Sequence, residues 1–204
     1  MKWIIRLSRK YRISTTRILG ILSTLLILFS AHRWHPSLLQ QMGLELIAFV
    51  LVLAATFGRI WTLSYISGHK KRDLITEGPY SVMRNPLYFF SFIGAIGLGI
   101  ATLSILLLAA LLITFALYYP LVIRHEEDQL TEVHGEAYRN YRREVPPFIP
   151  RPSLYREPAE YAVNARMFRK AFLSVMWFPL IFLFMLFLNH LHSLALWPVL
   201  FIIP

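Results

Sequence analysis

Apolar and polar positions fall in long blocks along this chain, without the two-residue alternation of a half-buried strand. Apolar runs cover residues 18–31, 44–63, 86–102, 105–123, 171–188 and 194–204, with polar stretches between them. About 20 apolar residues in helical form cross the roughly 30 Å of hydrocarbon in a bilayer. Helices satisfy each backbone amide within their own segment, as lipid requires. The pattern therefore predicts an all-α, polytopic transmembrane helical bundle of about five to six spans. Residues 18–31 are short for a crossing unless it starts earlier, and 194–204 is expected to return partway or wholly across. The link at Thr102-Leu103-Ser104 allows only an antiparallel hairpin between its neighbours. One membrane domain, 1–204, is expected: a lead-in and two spans (1–66), a central core (67–152) and a membrane tail (153–204).

Composition agrees with this reading: 56% of residues are hydrophobic, 16% are charged and the mean hydropathy is +0.53, leaving little chain for a soluble domain. The absence of cysteine removes thiol nucleophiles, disulfides and thiolate metal sites. The net charge of +10 reads as membrane topology, with no nucleic-acid partner. Basic residues cluster before the first span (Lys2 to Arg17), around the loop after the second (Arg59, Lys70, Lys71, Arg72, Arg84) and after the fourth (Arg124 to Lys170), with Arg33 alone opposite. By the positive-inside rule that common face is cytoplasmic. Residues 1–17 mix these cations with Trp3, Ile4, Ile5, Leu7 and Tyr11, as a basic amphipathic lead-in on an anionic surface does. A cleaved signal is disfavoured, because the basic region is long and His32-Arg33-Trp34-His35-Pro36 follows a cleavage site poorly.

The polar segments 67–85 and 124–170 thus share one face and can build one site. The first carries a Gly78-Pro79-Tyr80 turn and an Arg84-Asn85-Pro86-Leu87-Tyr88 helix entry. The second carries Glu126 and Glu127 at the mouth of a span, then Gly135, Tyr138, Tyr141 and a proline stop. Carboxylates at a lipid boundary must be solvated, paired or used on a ligand. Pairing with Arg124 or Arg143 is the plain reading, and ligand binding the functional one. Carboxylates, arginines and tyrosine faces together suit a ligand that is both cationic and aromatic, and S-adenosyl-L-methionine is one. Tyr138 and Tyr141 read as packing residues. His125 and His134 lack partners at metal-ligand spacing, so no metal site is expected. Gly94, Gly97 and Gly99 read as a close helix contact in preference to a nucleotide loop.

The order G-P-Y-S-V-M-R-N-P-L-Y, a helical hairpin, then E-E-D-Q-L…H-G-E-A-Y-R-N-Y…V-P-P-F-I-P resembles the shared core of isoprenylcysteine carboxyl methyltransferases and phospholipid N-methyltransferases, over about 72–150. The resemblance implies S-adenosyl-L-methionine in a cytoplasm-facing pocket lined by Arg72, Asp73, Leu74, Ile75, Tyr80, Asn85, Pro86, Leu87, Tyr88 and Glu126. Two positions depart from the family pattern: Asn85 stands where histidine is usual, and Val122 where the isoprenylcysteine enzymes have an arginine one turn before the glutamate. Arg84 and Glu127 are the candidate catalytic residues, Arg84 on a carboxylate or anionic head group and Glu127 as a proton acceptor if the nucleophile is an amine. The acceptor is expected to be a membrane lipid or lipidated, isoprenoid-type molecule entering from the bilayer, in a bacterial or archaeal cell membrane. An NADPH-dependent reductase of the sterol-reductase type and a non-enzymatic membrane module are the alternatives.

Overall fold

The computed structural model describes residues 28, 30–32, 36–67 and 73–203, so the basic lead-in and most of the expected first span lie outside the described residues. The rest is all-α apart from one short parallel pairing, β1 (Ser30–His32) with β2 (Phe201–Ile203). The first long helix is α1 (Leu38–Ile66). It starts where Ser37 and Gln40 cap each other, Ser37 Oγ accepting from the Gln40 amide at 3.3 Å and Gln40 Oε1 from the Ser37 amide at 2.9 Å. A short α2 (Pro79–Val82) leads into α3 (Pro86–Ala101). Pro86 occupies the first turn of α3, where its missing amide costs nothing.

After the tight link at residues 102–104, α4 (Ile105–His134) runs antiparallel beside α3. Its apolar part ends near Ile123, but the helix continues through both glutamates. Residues 124–134 hold no Gly or Pro and several strong helix formers, so the chain breaks only at Gly135, whose φ is +55°. There α5 (Glu136–Glu144) begins. A proline-rich strap with one 3-10 turn (Pro152–Leu154) follows, then α6 (Ala165–Val175) and α7 (Trp177–Ser193).

Among the described residues three helical stretches are long and apolar enough to cross a membrane, Leu38–Ile66, Ile105–His134 and Ala165–Ser193, with Pro86–Ala101 a shorter fourth. The expected crossing at 194–204 does not form a helix. The chain turns at Ala195 (φ +54°) and ends in β2, since eleven residues interrupted by Pro198 cannot span the hydrocarbon as a helix.

The core lies where α1 packs on α3 and α7: Ala48, Val52, Ala101, Phe182 and Met185 are buried together. Small residues permit that approach. A Cβ on Gly97 would sit 2.9 Å from the Ala48 carbonyl oxygen, a backbone atom with no freedom to give way, so these glycines serve packing. Gly97→Val is expected to cost about 1–3 kcal/mol as an overpacked contact. Gly43→Ala, where nothing lies within 4 Å, serves as the control, and unfolding midpoints in detergent check the pair. By contrast α4 buries only Phe115 and Glu127 along its length. Ile113, Leu117 and Leu121 are exposed, presenting an apolar face suited to lipid.

Candidate functional site

The polar end of the bundle is organised by one buried ion pair. Met83 is extended (φ −157°, ψ 148°) between α2 and α3, which carries Arg84 across to α4. Arg84 Nε donates to Glu127 Oε1 at 2.8 Å and Nη2 to Oε2 at 3.3 Å, the two-pronged geometry a guanidinium offers a carboxylate. Arg84 Nη1 donates to the Arg142 and Val145 carbonyls at 2.9 and 2.7 Å. Asn85 Nδ2 donates to Glu127 Oε1 at 3.2 Å and to the Pro147 carbonyl at 3.0 Å. The two charged side chains are only 8% and 7% exposed, a burial tolerable because Glu127 Oε1 accepts from both Arg84 and Asn85 while Oε2 accepts from Arg84 and lies 3.6 Å from Arg142 Nε.

The strap then closes over the turn. Its prolines have no amide to donate, but their carbonyls accept: Arg84 N donates to Pro146 O at 2.8 Å. Arg151 N donates to Val82 O at 2.9 Å and Gly78 N to Arg156 O at 2.7 Å. Gly78 has φ +58°, and any Cβ there would enter the Tyr65 ring at 2.3 Å, so this turn requires glycine. From α5, Tyr141 OH donates to the Tyr80 carbonyl at 2.7 Å, while Tyr138 is fully buried beside it. Burial, then the Glu127 carboxylate, pushes the Tyr138 phenol up to about 12. Burial, then Tyr80, raises Tyr141, and burial, then Glu126, raises Tyr80. All three phenols stay protonated at neutral pH and are not bases.

Glu126 sits about 100° round α4 from Glu127 and is exposed. The Tyr88 hydroxyl bonds its carboxylate. Behind Tyr88 stands an aromatic wall between α3 and α4: Tyr119 lies 5.3 Å from Tyr88, stacks on Phe115 at 3.8 Å, and Phe115 meets Phe92 at 4.6 Å. Phe148 of the strap closes the wall against Phe89 at 5.5 Å. The result is an exposed carboxylate beside tyrosines near the start of α3, the positive end of that helix's dipole, where the Tyr88 and Phe89 amides donate to the Asn85 carbonyl at 3.2 and 3.1 Å.

A phospholipid methyltransferase family model matches residues 39–137, the stretch that holds α1 to α4 and both glutamates. The nickel-cobalt-cadmium resistance protein NccN of Alcaligenes xylosoxydans xylosoxydans is 38% identical, covering 83% of this chain and 78% of its own length. The cobalt-zinc-cadmium resistance protein CzcN of Cupriavidus metallidurans is 37% identical over 83% and 77%. A methanethiol S-methyltransferase of Crocosphaera subtropica is 29% identical, over 72% of this chain and 65% of its own. The chain belongs to the phospholipid methyltransferase-like membrane methyltransferases. No solved structure matches it. Membership in this methyltransferase family decides for methyl transfer over the NADPH-dependent reductase.

In this methyltransferase, Tyr80, Asn85, Pro86, Leu87, Tyr88, Glu126 and the Arg84–Glu127 pair gather at one end of the α3–α4 hairpin. Of the residues before the turn, Leu74 packs against Tyr138, Tyr141 and Val145, Ile75 is half-buried and Asp73 is exposed. Arg72 lies outside the described residues. One group was not singled out from the sequence as part of the site. Arg59, counted there as a loop-flanking cation, lies inside α1 and reaches α3 through Ser91 and the Leu87 carbonyl. The signal was present in the sequence as a lone arginine within an apolar run.

Proposed function

We propose that this methyltransferase moves the methyl group of S-adenosyl-L-methionine to a membrane-dissolved acceptor, a lipid or isoprenoid-type molecule with an oxygen or nitrogen nucleophile. The name of the Crocosphaera relative adds a sulfur nucleophile to that class. The observation that carries the reading is the meeting of Glu126 with Tyr88 and Tyr80 at the polar end of a hairpin whose outer face is apolar. A carboxylate suits ribose hydroxyls or an ammonium, aromatic faces suit a sulfonium and an adenine, and the positive dipole end at the start of α3 suits a carboxylate. Those residues fit the donor.

When bound, S-adenosyl-L-methionine supplies a methyl group on a cationic sulfur, which keeps the electron pair of the broken carbon–sulfur bond while the acceptor's lone pair bonds the methyl carbon. Glu126 holds the donor, with Tyr80 and Asn85 to Tyr88 beside it. Arg84 and Glu127 are saturated by one another, by Asn85 and by backbone carbonyls, so their task here is to fix the turn and the strap around the site. The strap and the aromatic wall keep water from the reacting atoms. The acceptor enters laterally past α4 on the cytoplasmic side of a bacterial or archaeal cell membrane, which the one-sided distribution of Lys and Arg supports.

Thermal stability of detergent-purified protein, titrated with S-adenosylhomocysteine and separately with NADPH, tests the reading. S-adenosylhomocysteine is expected to raise Tm with concentration as mass action requires. A shift with NADPH alone, or with neither, overturns it. Mass spectrometry of lipids incubated with protein and donor then identifies the acceptor by its added methyl group.

A further inference from the structure

One cation inside the bundle lacks a counter-charge. Arg59 lies seven residues before the end of α1, about 10 Å along the helix at its ordinary rise, on the membrane side of the Glu126–Tyr88 pair. Its Nη1 donates to Ser91 Oγ and to the Leu87 carbonyl at 3.4 Å. Its Nε is enclosed and has no hydrogen-bond partner, and its guanidinium carbon lies 5.3 Å from the Phe178 ring centroid. The charged or titratable neighbour that acts on it is Tyr119, whose ring touches Tyr88. Every Asp and Glu of the chain falls in the described segments, and among the described residues none pairs with Arg59.

A guanidinium cannot shed its charge to relieve burial, and two neutral oxygens and a ring only partly offset the cost of placing it there. An anion offered to its free edge would complete it with charge-assisted bonds. The position says which anion. Glu126, toward water, suits the cationic donor, whereas Arg59 stands one layer deeper, where the Leu87 carbonyl and Tyr119 join it to Tyr88. We propose that Arg59 is the counter-charge for an acidic group, a carboxylate or a thiolate, on the membrane-dissolved methyl acceptor. This rests on the methyltransferase reading above. An acceptor held as an anion has already released its proton to solvent, so its lone pair is free and the chain needs no general base.

The test uses the full chain in lipid nanodiscs and three probes by calorimetry: S-adenosylhomocysteine, decanoate, and decanamide as the neutral match for decanoate. The wild type is expected to bind decanoate at least about tenfold more tightly than decanamide, as one charge-assisted pair provides. Arg59→Met removes that preference while changing S-adenosylhomocysteine affinity by less than about twofold. Arg59→Lys, which keeps the charge and loses the fork, retains part of it and carries the test should Arg59→Met not fold. An unchanged decanoate preference in either variant overturns the proposal. So does a loss confined to S-adenosylhomocysteine, which would make the donor's own carboxylate the ligand of Arg59. If the wild type binds S-adenosylhomocysteine yet shows no preference for decanoate, only the Arg59 assignment falls; if it binds no S-adenosylhomocysteine, the methyltransferase reading falls with it.

Discussion

Glu126→Gln is expected to weaken S-adenosylhomocysteine binding about tenfold to a hundredfold, the range that follows from losing a hydrogen bond to a charged group, and to leave the Tm of the ligand-free protein unchanged. The split follows from where the side chain sits. Glu126 is exposed on α4 and meets the Tyr88 hydroxyl, so the fold does not lean on it. Glutamine keeps its size and acceptor oxygen and removes only the charge that a hydroxyl pair or an ammonium would use. Calorimetric titration of purified wild type and variant decides the matter. Equal affinities would remove Glu126 from the donor site, and a lowered ligand-free Tm would recast it as a structural residue.

Much of this architecture was legible in the sequence because lipid imposes strong patterns. The apolar runs at 44–63, 86–102 and 105–123 became α1, α3 and the first part of α4, and the Gly94 and Gly97 spacing became a close contact with α1. What sequence could not show was where polar helix ends and apolar span does not. Residues 124–134 look like loop when read by hydropathy, yet they continue α4, because helix propensity and lipid solubility are separate properties. That extension is what separates the two glutamates. Adjacent residues on a helix point about 100° apart, so Glu127 turns inward to Arg84 while Glu126 turns outward to Tyr88. A loop would have imposed no such division. Arg59 was obscured for the opposite reason: near the end of a span, a cation reads as a topology signal, and only its enclosure among Ser91, Leu87 and Phe178 sets it apart.

Glu127→Ala and Arg84→Ala are each expected to destabilise the protein by about 3–5 kcal/mol, the cost of leaving one member of a buried pair unpaired. The size follows from how much converges on this point. Removing Glu127 strands Arg84 Nε and Nη2 and one bond of Asn85, and removing Arg84 also frees the Arg142 and Val145 carbonyls. The double variant Arg84→Met with Glu127→Leu should recover much of the loss, since no uncompensated charge remains and the volume is nearly kept. Unfolding free energies in detergent for the singles and the double give the coupling directly. Arg84→Lys belongs in the series, because an ammonium cannot reach both carboxylate oxygens and two carbonyls at once; it should fall near Arg84→Ala. Single variants that cost less than about 1 kcal/mol would put the pair in the class of surface ion pairs, and the turn and strap would then have to be held by Gly78, Tyr141 and the backbone bonds alone.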